Sequence, residues 1–229
     1  SNCGLPILND NFYPNYKSKK VLDEINHLKT KITNFCKKYK SKLSELSHNE
    51  LILSIKSYEK IEEVFLKLRS YAYLTYCTDQ LNPGKKKFYQ FIDEKLSELE
   101  KKIIFFSIEI NKIDKKKYGF LLKSKFENWI KNLRKNKKFQ KSETIEKLLL
   151  EKSITSSAAW IKFYDQIMTR LRFKYGNKDL TETEILNLFT SHKESIRKNA
   201  AESFGETLKK NIFNFSYITN ILSKDLDIE

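Results

Sequence analysis

Histidine is the side chain best suited to bind a catalytic metal or to move protons near neutral pH, and the sequence contains three of them. His27, His48 and His192 are far apart along the chain, and none has the H-E-x-x-H spacing that places two zinc ligands on one helix face. His48 and His192 each follow a serine that is expected to cap a helix. The sequence therefore predicts first-turn surface residues at these two positions and an exposed His27.

The cysteines also give no pattern for chemistry. They are odd in number and form no C-x-x-C pair, so neither a disulfide framework nor a cysteine zinc site is predicted. Their positions are Cys3, Cys36 and Cys77. Cys77 lacks a plausible histidine partner, and we interpret it as a buried thiol. A reducing compartment such as the cytoplasm fits this cysteine usage best.

The common catalytic motifs are missing from the sequence. It contains no G-x-S-x-G, no Walker A motif and no G-x-G-x-x-G. Carboxylate pairs such as Glu62 and Glu63 read as helix surface, and Arg170, Arg172 and Lys174 read as the solvated side of a strand. We therefore predict no catalytic residue and no metal ligand in this chain, and the sequence does not identify residues that bind substrate.

The formal net charge of +15, from 44 Lys and Arg against 29 Asp and Glu, raises nucleic acid as a possible partner. The best candidate segment is 112–141, where lysines alternate with Tyr118, Phe120, Trp129 and Phe139. However, lysine is spread over nearly every segment, as in proteins of AT-rich genomes. We favour a solvated connector whose aromatic residues pack in the core, so nucleic acid is not an expected partner. No apolar run has the length of a membrane span.

The periodicity and the small numbers of glycine (5) and proline (3) predict an all-α fold. Apolar residues from Val21 to Tyr39 recur with a period near 3.5, which favours a long helix packed on an antiparallel neighbour. Ser47 and Glu50 form a capping box for a second long helix, and Pro83-Gly84 separates it from a third, whose apolar spacing continues to Ile110. We expect an antiparallel bundle of long helices followed by shorter ones.

The segment 158–188 changes period twice. Trp160, Phe163, Tyr164, Ile167 and Leu171 have helical spacing and lie on one helix face. Strict alternation follows, and Gly176-Asn177 fits a two-residue turn, so we predict one small β-hairpin near 171–180. Thr155 is expected to cap the helix of Trp160. Thr181 and Glu184 form a capping box for the next helix, and the spacing predicts another box at 191–194. Residues 1–16, with two prolines, are predicted to form an extended N-terminal arm.

This helix-hairpin-helix segment resembles the N-terminal helical domain of the oligoendopeptidase F family of zinc metallopeptidases, which are relatives of the thimet oligopeptidases. The matching pattern is W-x-x-x-Y-D, T-R-L-R-F, a hairpin turn, L-T-x-x-E and L-N-L. It comprises Trp160, Tyr164, Asp165, Thr169, Arg170, Leu171, Arg172, Phe173, Leu180, Thr181, Glu184, Leu186, Asn187 and Leu188. The resemblance continues through Arg197, Lys198, Ala200, Ala201 and Glu202.

The resemblance also reaches the beginning of the chain. Phe12-Tyr13-Pro14 resembles the family's opening L-Y-P segment, and residues 35–43, FCKKYKSKL, resemble its F-x-x-x-Y-x-G-K-L. The sequence departs from the family pattern at two positions. The tryptophan that usually precedes the opening segment is absent, and Ile7 is nearest its place; Ser41 replaces the glycine of F-x-x-x-Y-x-G-K-L.

The resemblance implies that residues 17–229 are the N-terminal helical lobe of an oligoendopeptidase and form one wall of a cleft for short peptides. It implies that zinc is held by H-E-x-x-H in a C-terminal catalytic domain, and that this chain binds no cofactor. The expected partners are short peptides and that catalytic lobe, without a membrane, in the cytoplasm. The alternative is a stand-alone basic helical module that binds peptide or nucleic acid without catalysis.

Overall fold

The structure is a computed structural model that describes the backbone of residues 13–228 and the side chains of residues 13–225. It is mainly helical, with one two-stranded antiparallel sheet among the described residues. The predicted all-α fold with a small hairpin is therefore confirmed. The chain divides into two compact units, one ending at Glu151 and the other beginning at Lys152. No helix in the described part is long and apolar enough to cross a membrane.

The first unit begins with helix α1, Lys19–Tyr39, whose N-cap is Ser18. The predicted apolar face is the buried face of this helix, and it consists of Val21, Ile25, Leu28, Ile32, Phe35 and Tyr39. Helix α2, His48–Cys77, starts at the predicted capping box, in which the Ser47 hydroxyl accepts from the Glu50 N–H and the Glu50 carboxylate accepts from the Ser47 N–H. Sequence periodicity and capping chemistry thus determine both helices.

Helix α3, Pro83–Ile103, begins after the Asn82 side chain caps it, with proline in the first turn as the sequence predicts. The helix was expected to continue to Ile110, but it ends at Ile103, and a short helix α4, Phe105–Ile110, follows. Paired contacts run in opposite directions along neighbouring helices: Glu24 meets Lys67 and Phe35 meets Tyr58, for example. The long helices therefore form an antiparallel bundle.

The end of the predicted arm that the structure describes packs on this bundle. Tyr13 is buried, its hydroxyl donates to the Glu24 carboxylate, and its ring lies edge-on to Tyr71 at 4.8 Å between centroids. The Lys67 ammonium donates to both Glu24 oxygens at 3.0 Å. Tyr13 thereby connects the opening segment to α1 and α2. Residues 1–12 of the predicted arm lie outside the described residues.

The lysine-rich segment 112–141 belongs to the first unit and folds into short helices. Helix α5 is Lys115–Leu121, helix α6 is Glu127–Lys135, and one 3-10 turn follows at Asn136–Lys138. Helix α7, Glu143–Thr155, comes next. The Lys40 ammonium lies 3.2 Å from the Glu143 carboxylate, which links α7 to the end of α1.

The second unit contains helix α8, Ser157–Arg170, strands β1, Phe173–Tyr175, and β2, Lys178–Leu180, and helices α9, Glu182–Leu188, α10, Glu194–Lys210, and α11, Ile212–Ile228. The strands pair antiparallel, with Phe173 opposite Leu180 and Tyr175 opposite Lys178. Gly176 has φ +58° at the turn, a conformation that glycine adopts without strain. The predicted hairpin is confirmed.

Two predicted helix caps are wrong. Helix α10 begins at Glu194 with Lys193 as its N-cap, and the Ser191 hydroxyl accepts from the Lys193 N–H instead of from a first-turn N–H. Thr155, expected to cap the helix of Trp160, is instead the last residue of α7, and its hydroxyl donates to the Lys152 carbonyl. In both cases the hydroxyl is satisfied by a backbone group two or three residues away.

Candidate functional site

The residues that carry the family resemblance near the hairpin build a small core in the second unit. Phe173, Ile185 and Ala200 are buried at its centre. The Phe173 ring stacks on Phe204 at 5.0 Å between centroids, and Phe189 meets Phe204 edge-on. Phe173 and Ala200 both belong to the matching pattern, so the pattern specifies packing at these positions.

Polar members of the pattern hold the ends of helices. The Glu184 carboxylate accepts from the Thr181 N–H and hydroxyl, both at 2.8 Å, and these hydrogen bonds lower the pKa of Glu184. The Arg197 guanidinium donates to the Ser191 carbonyl at 2.7 Å and to the His192 carbonyl at 3.2 Å. These contacts close the loop between α9 and α10. They are structural and leave no nucleophile or base poised for chemistry.

The cationic strand face contributes little to a binding site. The Arg172 guanidinium donates to the backbone carbonyls of Thr169 and Leu171 at 2.9 and 2.8 Å, and so it holds the end of α8. Arg170 and Lys174 are exposed. This arrangement agrees with the interpretation of a solvated strand face.

The second unit has an aromatic surface on α8 and α11, which consists of Trp160, Phe163, Tyr164, Phe213, Phe215 and Tyr217. Phe163, Tyr164, Phe213 and Tyr217 are exposed, and Trp160 and Phe215 are half-buried. Trp160 lies edge-on to Phe163 and to Tyr217, with centroids at 6.2 and 5.8 Å, and Phe213 stacks on Tyr217 at 6.4 Å. Phe213 is 79% exposed and Tyr217 52% exposed. A contiguous exposed patch of large apolar side chains is typical of a surface that another protein segment covers.

Asp165 lies on α8 beside this aromatic surface. Its side chain is half-buried, and burial raises the pKa of its carboxyl. Asp165 belongs to the W-x-x-x-Y-D pattern, whose Tyr164 ring contacts Phe215 at 5.8 Å between centroids. The sequence did not identify this surface, because periodicity shows that a helix has an apolar face but does not show whether that face is covered.

The candidate metal and nucleophile residues are not brought together. Within residues 13–228, no group of three His, Cys, Asp or Glu side chains could hold a metal ion. His27 is exposed, as predicted. His192 is also exposed, but it lies before α10 and not in its first turn, whereas His48 is half-buried and stacks on Phe120 at 4.2 Å between centroids. Cys77 is exposed, so its interpretation as a buried thiol is wrong. Its place at the end of α2, next to the turn, explains the exposure.

The half-buried cysteine has no feature of a catalytic thiol either. Burial raises the pKa of the Cys36 thiol, and its sulfur donates to the Lys102 carbonyl at 3.3 Å. A nucleophilic cysteine requires the opposite shift, toward the thiolate. Glu62, interpreted as helix surface, is half-buried, while Glu63 is exposed.

The aromatic residues of the lysine-rich segment are mostly unavailable for stacking on bases. Tyr118, Phe120 and Trp129 pack against the core of the first unit, whereas Phe139 is 66% exposed. Single-strand recognition uses exposed aromatic faces beside cations. This packing favours the connector interpretation of residues 112–141.

Comparisons with known proteins agree with the resemblance. Residues 109–173 match the family model described as Oligopeptidase F. The chain is also similar to the crystal structure of oligoendopeptidase-F from Enterococcus faecium, with a TM-score of 0.74 and 15% sequence identity. The similarity covers 90% of this chain and 42% of that chain. A search of curated proteins finds no match.

The resemblance to the N-terminal lobe of the oligoendopeptidase F family is confirmed. The chain spans less than half the length of the solved oligoendopeptidase-F that it matches. The family match begins in α4, passes through the connector, α7 and α8, and ends at Phe173 in β1. It therefore includes Trp160, Tyr164 and Asp165, which lie on or beside the aromatic surface, together with the arginine that holds the end of α8.

Proposed function

We propose that this chain is the non-catalytic N-terminal helical lobe of a zinc-dependent oligoendopeptidase that cleaves internal bonds of short peptides. In this proposal the lobe forms one wall of the substrate cleft, and a separate catalytic lobe completes it. The proposal extends to a cytoplasmic location, in keeping with free thiols at Cys36 and Cys77.

The observation that carries the proposal is the exposed aromatic surface on α8 and α11. An isolated soluble module seldom leaves side chains such as Phe213, Ile212 and Tyr217 facing water together. The fold resembles part of a larger oligoendopeptidase-F. We infer that the catalytic lobe covers this aromatic surface.

The described residues of this chain do not fit a zinc ion, since they offer no cluster of His, Cys, Asp or Glu. In the proposed enzyme the metal would therefore be held by the catalytic lobe. The N-terminal lobe formed by this chain would exclude bulky substrates and position short peptides. No proton transfer or bond cleavage is assigned to the residues of this N-terminal lobe.

Hydrolysis of an internally quenched peptide by purified residues 1–229 tests the assignment of the chemistry. We expect no hydrolysis above the buffer blank, with or without a metal chelator, because no metal site or activated nucleophile is present in the described residues. Chelator-sensitive hydrolysis by this chain alone would contradict the proposal. A His27→Ala, His48→Ala, His192→Ala variant controls for a co-purified protease, whose activity would survive these changes.

The alternative of a basic nucleic-acid-binding module has its own test. It predicts binding to a single-stranded oligonucleotide with a steep salt dependence, and a smaller salt slope once Lys135, Lys137 and Lys138 are changed to Gln. We expect no binding at 50 mM salt beyond that of the triple variant, because four of the five aromatic residues in this segment pack in or against the core of the first unit.

A further inference from the structure

The first unit contains a pocket of about 310 Å³ that is lined, within residues 13–228, by apolar and polar side chains but by no lysine. Its apolar walls come from Ile104 and Ile108 at α4, Leu133 on α6 and Phe139 after the 3-10 turn. This volume is near the lower end for small-molecule pockets, which span about 300–1,000 Å³. The pocket therefore fits a compact ligand with an apolar body.

Asn111 lines the pocket and is 1% exposed. Its side-chain nitrogen donates to the Leu133 carbonyl at 3.4 Å and to the Gln140 Oε1 at 3.1 Å. Because a backbone carbonyl only accepts, the Leu133 contact fixes which end of the amide is nitrogen. Its Oδ1 is buried and has no hydrogen-bond partner among the described residues. Buried acceptors are normally satisfied, so this oxygen is suited to a donor that a ligand brings.

The charge of the pocket lining also favours a donor. Glu146, on α7, is the charged side chain among the described residues that line the pocket. Its Oε1 accepts from the Lys141 backbone N–H at 2.8 Å, and a carboxylate has further acceptor capacity. In a chain of net charge +15, a pocket lined by a carboxylate and free of lysine side chains is unusual.

We propose that this pocket binds an apolar primary amine. The ammonium group donates to the Asn111 Oδ1 and to the Glu146 carboxylate, and the hydrocarbon body contacts Ile108, Leu133 and Phe139. At these two positions an ammonium fits better than an anion, because the Asn111 Oδ1 and the Glu146 carboxylate are both acceptors. The site belongs to the first unit and does not depend on the proposed peptidase function.

Titration of the full chain with phenethylamine, followed by the Asn111 side-chain amide signal in ¹H–¹⁵N NMR spectra, tests the proposal. We expect saturable shifts of that signal and of the Ile108 and Leu133 methyl groups. Ethylbenzene, which keeps the apolar body without a donor, and N-acetylphenethylamine, which is uncharged, are expected to bind at least about tenfold more weakly, because hydrogen bonds to charged groups are the stronger class.

Glu146→Gln removes the charge while keeping an acceptor for the Lys141 N–H, so the local fold should persist, as circular dichroism would verify. We expect about a tenfold loss of phenethylamine affinity in this variant. Glu151→Gln, on the same helix, removes an equal charge outside the pocket and should leave the affinity unchanged. Equal binding of ethylbenzene and phenethylamine, equal effects of the two variants, or no saturable shift would each overturn the proposal.

Discussion

Ser41 has a left-handed backbone conformation, with φ at +63°, just after the end of α1. Its N–H donates to the Glu109 carboxylate at 2.8 Å, which holds this turn against α4. The family pattern has glycine at this position, and glycine is the residue that adopts this conformation without a steric penalty. The departure from the pattern thus stores local strain and preserves the turn.

Ser41→Gly is expected to stabilise the chain by about 0.5–1 kcal/mol, since relief of the strained φ outweighs the extra entropy of glycine in the unfolded state. Chemical denaturation with urea measures this difference. Ser44→Gly, in the same exposed turn but at negative φ, is the matched control and should be neutral or destabilising. Equal effects of the two changes would show that strain at Ser41 is not the cause.

Glu62 is a half-buried carboxyl on α2, and burial raises its pKa. A hydrogen bond from Tyr58 and the charge of Arg69 oppose this shift, whereas the Glu100 carboxylate adds to it. Arg69 in turn pairs with Glu100. Because the folded-state pKa of Glu62 exceeds the unfolded value, its contribution to stability is fully present below the unfolded pKa and is lost as pH rises through the folded pKa.

Glu62→Gln should therefore become more stabilising, relative to the wild-type chain, as pH rises from about 4 toward 7. Gln can still accept from the Tyr58 hydroxyl, so the substitution mainly removes the titration. Urea denaturation at pH 4 and pH 7 gives the two differences in unfolding free energy. Glu63→Gln, at the exposed neighbouring position, should show no such pH trend. A trend of opposite sign would mean that Arg69 dominates over burial.

At the level of elements, Arg134 organises the irregular connector. Its guanidinium donates to the backbone carbonyls of Asn111 and Ile113 at 2.9 and 3.1 Å, and it lies over the Tyr118 ring at 4.4 Å. It therefore joins the end of α4, helix α5 and helix α6 through one side chain. Carbonyls that no regular helix hydrogen bond satisfies receive donors in this way.

Arg134→Ala is expected to lower the unfolding free energy by about 2–4 kcal/mol, because it leaves two carbonyls without their charged donor and removes the cation–π contact. Lys135→Ala, the exposed neighbour on the same helix, should change stability by less than about 0.5 kcal/mol. Thermal denaturation compares the two. Similar small effects would mean that water replaces the guanidinium without penalty.

Much of the helical architecture was predictable from the sequence because it depends on local interactions. The apolar face of α1, the capping boxes at Ser47 and Thr181, and the hairpin around Gly176 follow from side-chain period, capping hydroxyls and turn residues. Tyr13, Phe35 and Phe173 carry the family resemblance and are buried. In these positions, local chemistry and packing specify the same structure.

Other features were not predictable from the sequence. The box expected at Ser191 fails because the Ser191 hydroxyl accepts from the Lys193 N–H, and α10 begins only at Glu194. The half-burial of Glu62 results from packing between helices. The amine pocket depends on Asn111, Leu133 and Glu146, which are separated by many residues and meet only after folding.

At the scale of the whole molecule, the exposure of the aromatic surface on α8 and α11 could not be predicted from the sequence either. The apolar spacing of Trp160, Phe163 and Tyr164 predicted a helix face that packs, yet Phe163 and Tyr164 are exposed. The proposed explanation is a catalytic lobe that covers this surface. The chain taken alone would then expose this apolar surface to solvent, where a hydrophobic dye can bind to it.

The double substitution Phe213→Ser with Tyr217→Ser is expected to reduce binding of a hydrophobic fluorescent dye by the purified chain, because it removes two of the exposed rings. The unfolding free energy should change by less than about 1 kcal/mol, since more than half of each side chain is exposed. Leu66→Ser, at a 69% exposed position on α2, is the control and should leave dye binding nearly unchanged. A loss of stability without a loss of dye binding would contradict an exposed surface.

The most direct test of the central claim is capture of the native polypeptide from its cells with an antibody raised against residues 13–228, followed by mass spectrometry and a quenched-peptide assay. The account predicts one polypeptide that continues beyond Glu229 into an H-E-x-x-H motif and shows chelator-sensitive endopeptidase activity. A captured polypeptide that stops at Glu229, binds no catalytic lobe and hydrolyses no peptide would contradict it.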